Sequence, residues 1–173
     1  MWRSIRPDRD RTCAVLLVGL ALSLPAGAYG QFAEEGEFPP AFALPDETGK
    51  VHRLEDLRGT PTILYFTHNM CHYCTQIIGF LKRTRPLHDE SELAILTLNV
   101  WAADDKFIIR YKEAMGLPFT MLAGKNTQLL RDYEVNYVPI IVFIGRDGKI
   151  RHIYHHYVLQ GDFEKTTAEI VEE

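Results

Sequence analysis

Cysteine is scarce in this chain of 173 residues. It has three, Cys13, Cys71 and Cys74, too few for a disulfide-stapled scaffold and too few for an all-cysteine zinc site. Neither sign of charge dominates: 24% of residues are charged and the formal net charge is -4. That excludes the basic footprint of a nucleic-acid binder and the polyelectrolyte character of a disordered chain. Long apolar runs are also missing, since the longest, from Ala14 to Leu24, falls short of the roughly 20 residues that span a bilayer comfortably. Internal repeats and low-complexity tracts are absent. What is present is 46% hydrophobic residues, enough at this length for the core of one domain.

Arg3, Arg6, Arg9 and Arg11 precede that apolar run, and Pro25-Ala26-Gly27-Ala28 closes it with an Ala-x-Ala cleavage signal. Residues 1–28 therefore read as an export signal or, left uncleaved, an N-terminal membrane anchor. A buried core helix would need an amphipathic period that the run lacks. Cys13 lies ahead of the run and is discarded or inert. Export removes four arginines and two aspartates, leaving 15 basic and 21 acidic residues, a net of -6. Residues 29–40, with Glu34, Glu35, Gly36, Glu37, Pro39 and Pro40, read as a solvated acidic linker. The folded domain is expected over 41–173, in a periplasmic or otherwise extracytoplasmic setting where thiols are readily oxidised.

Phe42-Ala43-Leu44, the turn-like Pro45 to Lys50 and Val51-His52-Arg53-Leu54 predict a small β-hairpin. Thr62–Phe66, Leu93–Leu98 and Ile140–Ile144 are near-continuous apolar runs, the pattern of strands buried on both faces. Between them lie helical periods. Cys74, Ile77, Ile78 and Leu81 recur at i, i+3, i+4 and i+7, with Lys82, Arg83 and Arg85 near the end and Pro86 as the stop. Phe107, Ile108, Tyr111 and Met115 give a second stripe behind Asp104 and Asp105. Arg146-Asp147-Gly148-Lys149 is a turn joining Ile140–Ile144 to a strand over Ile150–Tyr157, and Phe163, Thr167, Ile170 and Val171 mark a closing helix. The fold class is α/β, a mixed central sheet with helices on both faces.

Chemistry concentrates at Cys71-His72-Tyr73-Cys74, which follows a buried strand and opens a helix. Two intervening residues on a first helical turn bring the sulfurs within bonding reach. The first cysteine sits where unpaired N–H groups and the positive dipole end favour a thiolate. Cys71 is then the attacking thiol and Cys74 the resolving one, and a protonated His72 would stabilise the Cys71 thiolate further. Haem attachment is disfavoured because position 75 is Thr. A zinc site would need two more ligands from His52, His68, His88, His152, His155 and His156, none at obvious ligand spacing. A purely structural disulfide closing so short a ring would stabilise weakly. Val138-Pro139, taken alone, reads as a trans proline opening a strand.

Together, Pro40-Ala41-Phe42-Ala43-Leu44-Pro45-Asp46, the Gly49-Lys50 turn, Leu54-Glu55-Asp56-Leu57-Arg58-Gly59, the strand leading into CxxC, Tyr133-Glu134-Val135 before Val138-Pro139, and Asp147-Gly148-Lys149-Ile150 resemble exported thioredoxin-like proteins of the TlpA/ResA type. The resemblance runs from about Pro40 to Val171 and makes the helix and strand between Asp104 and Leu122 a central insertion. It implies a thioredoxin-like fold with a cis Pro139 facing the cysteines. It also implies a substrate-facing surface of Val138, Pro139, Met70 and Tyr73. Met70 replaces the family's usual Trp before the first cysteine, Tyr73 its frequent Pro before the second, and Ile77 an acidic residue found in many relatives. With Gln76 unable to act as acid or base, proton transfer falls to His68 or His72. Peroxiredoxins share the opening hairpin, but their Thr-x-x-Cys motif is absent, because Thr67 stands four residues before Cys71.

The expectation is a thiol-disulfide oxidoreductase needing no organic cofactor and no metal. Its partners are a disulfide-bearing protein substrate and, by the resemblance, a membrane thiol reductase as electron donor; reduction is the direction the resemblance favours. The rival is a copper(I)-handling protein using Cys71, Cys74 and a histidine, since soft sulfur suits that ion. Thr67-His68 ahead of the cysteines resembles thioredoxin-fold copper chaperones, which space their cysteines by three.

Overall fold

The three apolar runs form the middle of a five-stranded sheet in the computed structural model, which describes residues 32–173. The export signal and Cys13 lie outside the described residues. The strands are β1 (Ala43–Pro45), β2 (Val51–Arg53), β3 (Thr62–Thr67), β4 (Ala94–Asn99), β5 (Thr120–Ala123), β6 (Ile140–Ile144) and β7 (Ile150–Tyr154). β1 and β2 make the hairpin, with Ala43 opposite Arg53. The main sheet runs β5-β4-β3-β6-β7: β3, β4 and β5 are parallel, while β6 and β7 are antiparallel to their neighbours. Every residue of β3, β4 and β6 is buried, as their uninterrupted apolar character requires of strands covered on both faces.

Alternate side chains feed two cores. Ile63, Tyr65, Ile95, Ile141 and Phe143 pack with α1 (His72–Thr84), α2 (Asp105–Met115) and α4 (Gln160–Glu172) through Ile77, Leu81, Ile108, Phe163 and Ile170. Leu64, Phe66, Leu96, Leu98 and Val142 face the other way, against Leu54, Leu129 and Tyr133. Among the described residues the helical cover here is α3 (Leu129–Asp132), a single turn too short to leave a period in the sequence, and the 3-10 turn Leu54–Leu57 adds to it. α2 begins on Asp104, whose carboxylate accepts the Phe107 N–H at 2.8 Å, and ends at Gly116 in the left-handed region, φ 55°.

Both edges of the sheet are covered, which blunts their tendency to pair with other chains. The hairpin reaches β5 through a bridge between Asp46 and Leu122. On β7 the cover is the acidic stretch expected to be a solvated linker. Its side chains at 34–38 are exposed, yet the Gly36 N–H donates to Ile150 O, the Ile150 N–H donates to Glu37 O, and the Glu35 carboxylate accepts the Ile153 N–H. Further anchors are the Ala33 N–H to Asp132 O and the Tyr133 hydroxyl to Pro40 O. Acidic composition reports the solvated side chains and is silent about the backbone. β7 itself stops at Tyr154, three residues before the expected end.

Candidate active site

β3 delivers the chain to the carboxyl end of the sheet's parallel strands, and four residues separate its end from the start of α1. Cys71 is the residue that caps α1: its backbone is extended and its Sγ accepts the Cys74 N–H at 3.0 Å, the place a Ser or Asp oxygen usually takes. The two cysteines are joined in a disulfide with Cα atoms 5.1 Å apart. Cys74 is 0% exposed, because the same stripe that buries Ile77 and Leu81 turns it inward; Cys71 is half-buried. An incoming thiol therefore meets Cys71 first.

Opposite the disulfide stands the loop before β6. The Val138-Pro139 bond is cis, which corrects the trans reading of that dipeptide alone and agrees with the family resemblance. The Val138 carbonyl oxygen lies 3.7 Å from Cys71 Sγ. Behind Cys74, the fully buried Tyr65 donates its hydroxyl to the Cys74 carbonyl at 3.0 Å. Burial pushes the Tyr65 hydroxyl well above its ordinary range, so it stays a donor. The sequence reading passed over Tyr65, although a phenol inside a buried apolar run must find a partner for its hydroxyl.

The histidines beside the motif are held differently. His68 is half-buried, its Nδ1 accepts the Met70 N–H at 3.1 Å, and its ring stacks on Trp101 with centroids 3.9 Å apart and planes 5° from parallel. Burial pushes the His68 imidazole below its ordinary value. His72 is exposed; its ring pairs with the Gln76 amide at 3.1 Å and meets Tyr73 edge-on at 5.8 Å. Among the described residues neither histidine is hydrogen-bonded to a cysteine sulfur. Met70 is 81% and Tyr73 56% exposed, so both reach solvent beside the disulfide.

A second feature absent from the sequence reading is the clamp made by Asn99 at the end of β4. Fully buried, it accepts the Trp101 N–H at 3.0 Å and the Ala102 N–H at 3.1 Å through Oδ1, and donates from Nδ2 to Asn69 Oδ1 at 2.8 Å. The loop after β4 is thereby tied to the loop before Cys71. The histidines weighed as metal ligands are scattered: His52 pairs with Asp46 and His152 with Glu35. Among the described residues no group of three or more His, Cys, Asp or Glu is gathered to hold a metal ion.

Comparison with known proteins places this geometry in context. The profile of the AhpC/TSA family matches residues 36–153. The thiol-disulfide oxidoreductase ResA of Geobacillus thermodenitrificans is 29% identical over 80% of this chain and 83% of its own. Among solved structures, the thioredoxin domain of a thiol-disulfide oxidoreductase from Bacteroides vulgatus superposes with a TM-score of 0.70 at 18% identity, covering 80% of this chain and 98% of that one. A secreted disulfide oxidoreductase of Mycobacterium tuberculosis gives 0.64 at 19%, covering 74% and 95%.

Proposed function

Since the chain belongs to the AhpC/TSA family, and within it to the thioredoxin-like oxidoreductases that ResA represents, we propose that it works outside the cytoplasm as a reductase of protein disulfides. The chain is a thiol-disulfide oxidoreductase with a redox-active Cys71–Cys74 pair. Location, direction and the division of labour between the cysteines are our reading. The observation that carries the last is the asymmetry of the pair: one sulfur reachable at a helix start, the other sealed beneath it.

Starting from the dithiol, the Cys71 thiolate attacks one sulfur of a substrate disulfide and expels the other as a thiolate. Cys74, losing its proton, then attacks Cys71 Sγ and releases the second substrate thiolate. Two electrons pass to the substrate, two protons follow, and the protein is left with the disulfide. The cis loop at Val138-Pro139 faces the mixed disulfide. His68 and His72 are the protonatable groups flanking the motif, and His72 is the one free of a backbone partner. A membrane thiol reductase recharges the pair. Export is supported by the arginines and apolar run of residues 1–28 and by the secreted relative; among the described residues no helix is long and apolar enough to cross a membrane.

A peroxidase reading, which the family also admits, lacks its Thr-x-x-Cys motif. The copper(I) reading gains nothing from the geometry, because among the described residues no histidine is gathered with the two cysteines into a group that could hold a metal ion. Redox equilibration of the purified protein against glutathione tests the direction. A reductant's potential sits near thioredoxin's, about -270 mV, whereas a potential near DsbA's, about -120 mV, would make the protein an oxidant and overturn the proposal.

A further inference from the structure

We infer that Trp101 is a specificity-determining residue: the floor of an apolar subsite that selects, as substrate, uncharged polypeptide segments with an aromatic or aliphatic side chain beside the reacting cysteine. The inference rests on the oxidoreductase reading and names its substrate class.

Four stretches of chain meet around the disulfide. Residues 67–76 contain it. Residues 99–103 are joined to them by the His68–Trp101 stack and the Asn69–Asn99 hydrogen bond. Residues 135–141 approach through the Val138 carbonyl, and residues 154–158 through Tyr157, whose ring lies 5.3 Å from that of Tyr73. In a chain with 24% charged residues, none of these stretches contains an Asp, Glu, Lys or Arg. They do contain Met70, Tyr73, Trp101 and Tyr137, exposed by 81, 56, 47 and 61%. Large apolar side chains grouped on a surface mark an interaction site, and these four belong to the stretches that carry the disulfide or touch the residues beside it.

Trp101 stands out among them because it is fixed. One ring face is covered by His68, its own N–H and that of Ala102 are held by the buried Asn99, and the remaining surface is open. A pre-positioned aromatic costs little entropy when it binds, and Trp is the commonest anchor of binding energy at interfaces. The occupant follows from the missing charge. A substrate segment bringing Lys or Glu to this surface would lose water and meet no Asp, Glu, Lys or Arg of opposite charge, whereas an aromatic or aliphatic neighbour loses only unfavourable hydration.

The test uses three peptide disulfides of one length, with Phe, Glu or Lys beside the cysteine, and bis(2-hydroxyethyl) disulfide as a small uncharged probe. Expected is a kcat/KM about tenfold higher for the Phe peptide than for either charged one, carried by KM. The Phe-peptide rate should change by less than about twofold between low and high salt, there being no charged side chain on that peptide to screen. In Trp101→Ala the Phe-to-Glu ratio collapses towards one, and Trp101→Phe restores part of it. The ratio is the readout, because a merely structural defect slows all substrates together. A wild type that reduces the small probe but handles the three peptides alike overturns this inference and spares the oxidoreductase reading. An unchanged ratio in Trp101→Ala, or a steep salt dependence, overturns it as well. A wild type that reduces nothing overturns both.

Discussion

Replacing Asn99 by Ala removes three hydrogen bonds at once, to the Trp101 N–H, the Ala102 N–H and Asn69 Oδ1, from a site with no solvent access. A typical intramolecular hydrogen bond contributes about 1 kcal/mol net, so three come to about 3 kcal/mol, with the Ala102 N–H alone keeping a second acceptor in the Asn99 backbone carbonyl at 3.2 Å. For a domain of this size that corresponds to a fall in Tm of about 6–12 °C. Asn69→Ala serves as control: it removes only the Asn69–Asn99 bond and, by leaving the buried Asn99 Nδ2 without that acceptor, should cost about 1 kcal/mol. Urea unfolding of the oxidised wild type and both variants, followed by far-UV circular dichroism at neutral pH, measures both. A loss below about 1 kcal/mol for Asn99→Ala, or one equal to that of Asn69→Ala, would refute the idea that Asn99 ties the loop after β4 to the loop before the cysteines.

Asp46 is the acid-sensitive point of the hairpin. Burial opposes its charge, but hydrogen bonds from the Thr48 hydroxyl and N–H, from His52 and from the Lys50 N–H hold its carboxyl well below the carboxylate range. A depressed folded-state value contributes stability that is full above the unfolded value, about 3.9, and is lost as pH falls below it. Asp46→Asn should therefore be less stable than wild type at pH 7 and converge on it in strong acid, as pH-dependent urea midpoints will read; a constant gap would contradict this. His68 follows the opposite chemistry with the same sign. Its neutral ring is favoured in the fold, and Nδ1 cannot accept the Met70 N–H once protonated. The loop should hold above the ordinary imidazole value near 6.5 and loosen below it. Exchange of the Met70 amide, followed by NMR against pH and corrected for intrinsic rates, should lose protection across that range; flat protection would show that this bond does not hold the loop. In Tyr65→Phe the Cys74 carbonyl loses the Tyr65 hydroxyl but keeps its place in the α1 ladder, and a stability loss of about 1 kcal/mol is expected in the same urea assay; no loss would mean that this hydroxyl bond adds nothing to the fold.

The sheet was legible because its strands are buried on both faces, so Thr62–Phe66, Leu93–Leu98 and Ile140–Ile144 stand out as unbroken apolar runs. α1 was legible through the stripe from Cys74 to Leu81, and the CxxC pair through its position between that stripe and β3. Three things were hidden. α3 is one turn long and has no room for a period. The strap over β7 binds through its backbone while its glutamates face water, so its composition says linker. The surroundings of the disulfide come from Asn99, Trp101 and Tyr65, which lie in other elements and meet the motif only after folding. The cis bond at Val138-Pro139 was available only by resemblance, because nothing in the dipeptide itself distinguishes the isomers.

The central claim is that Cys71 is the exchanging thiol and Cys74 the sealed resolver. Alkylation of the fully reduced protein by limiting iodoacetamide at neutral pH, with each cysteine's labelling rate read from its peptide mass, tests this most directly. The account predicts that Cys71 is labelled well before Cys74, because its sulfur is reachable and caps a helix while Cys74 is fully buried. Faster labelling of Cys74 would reverse the roles and contradict the account.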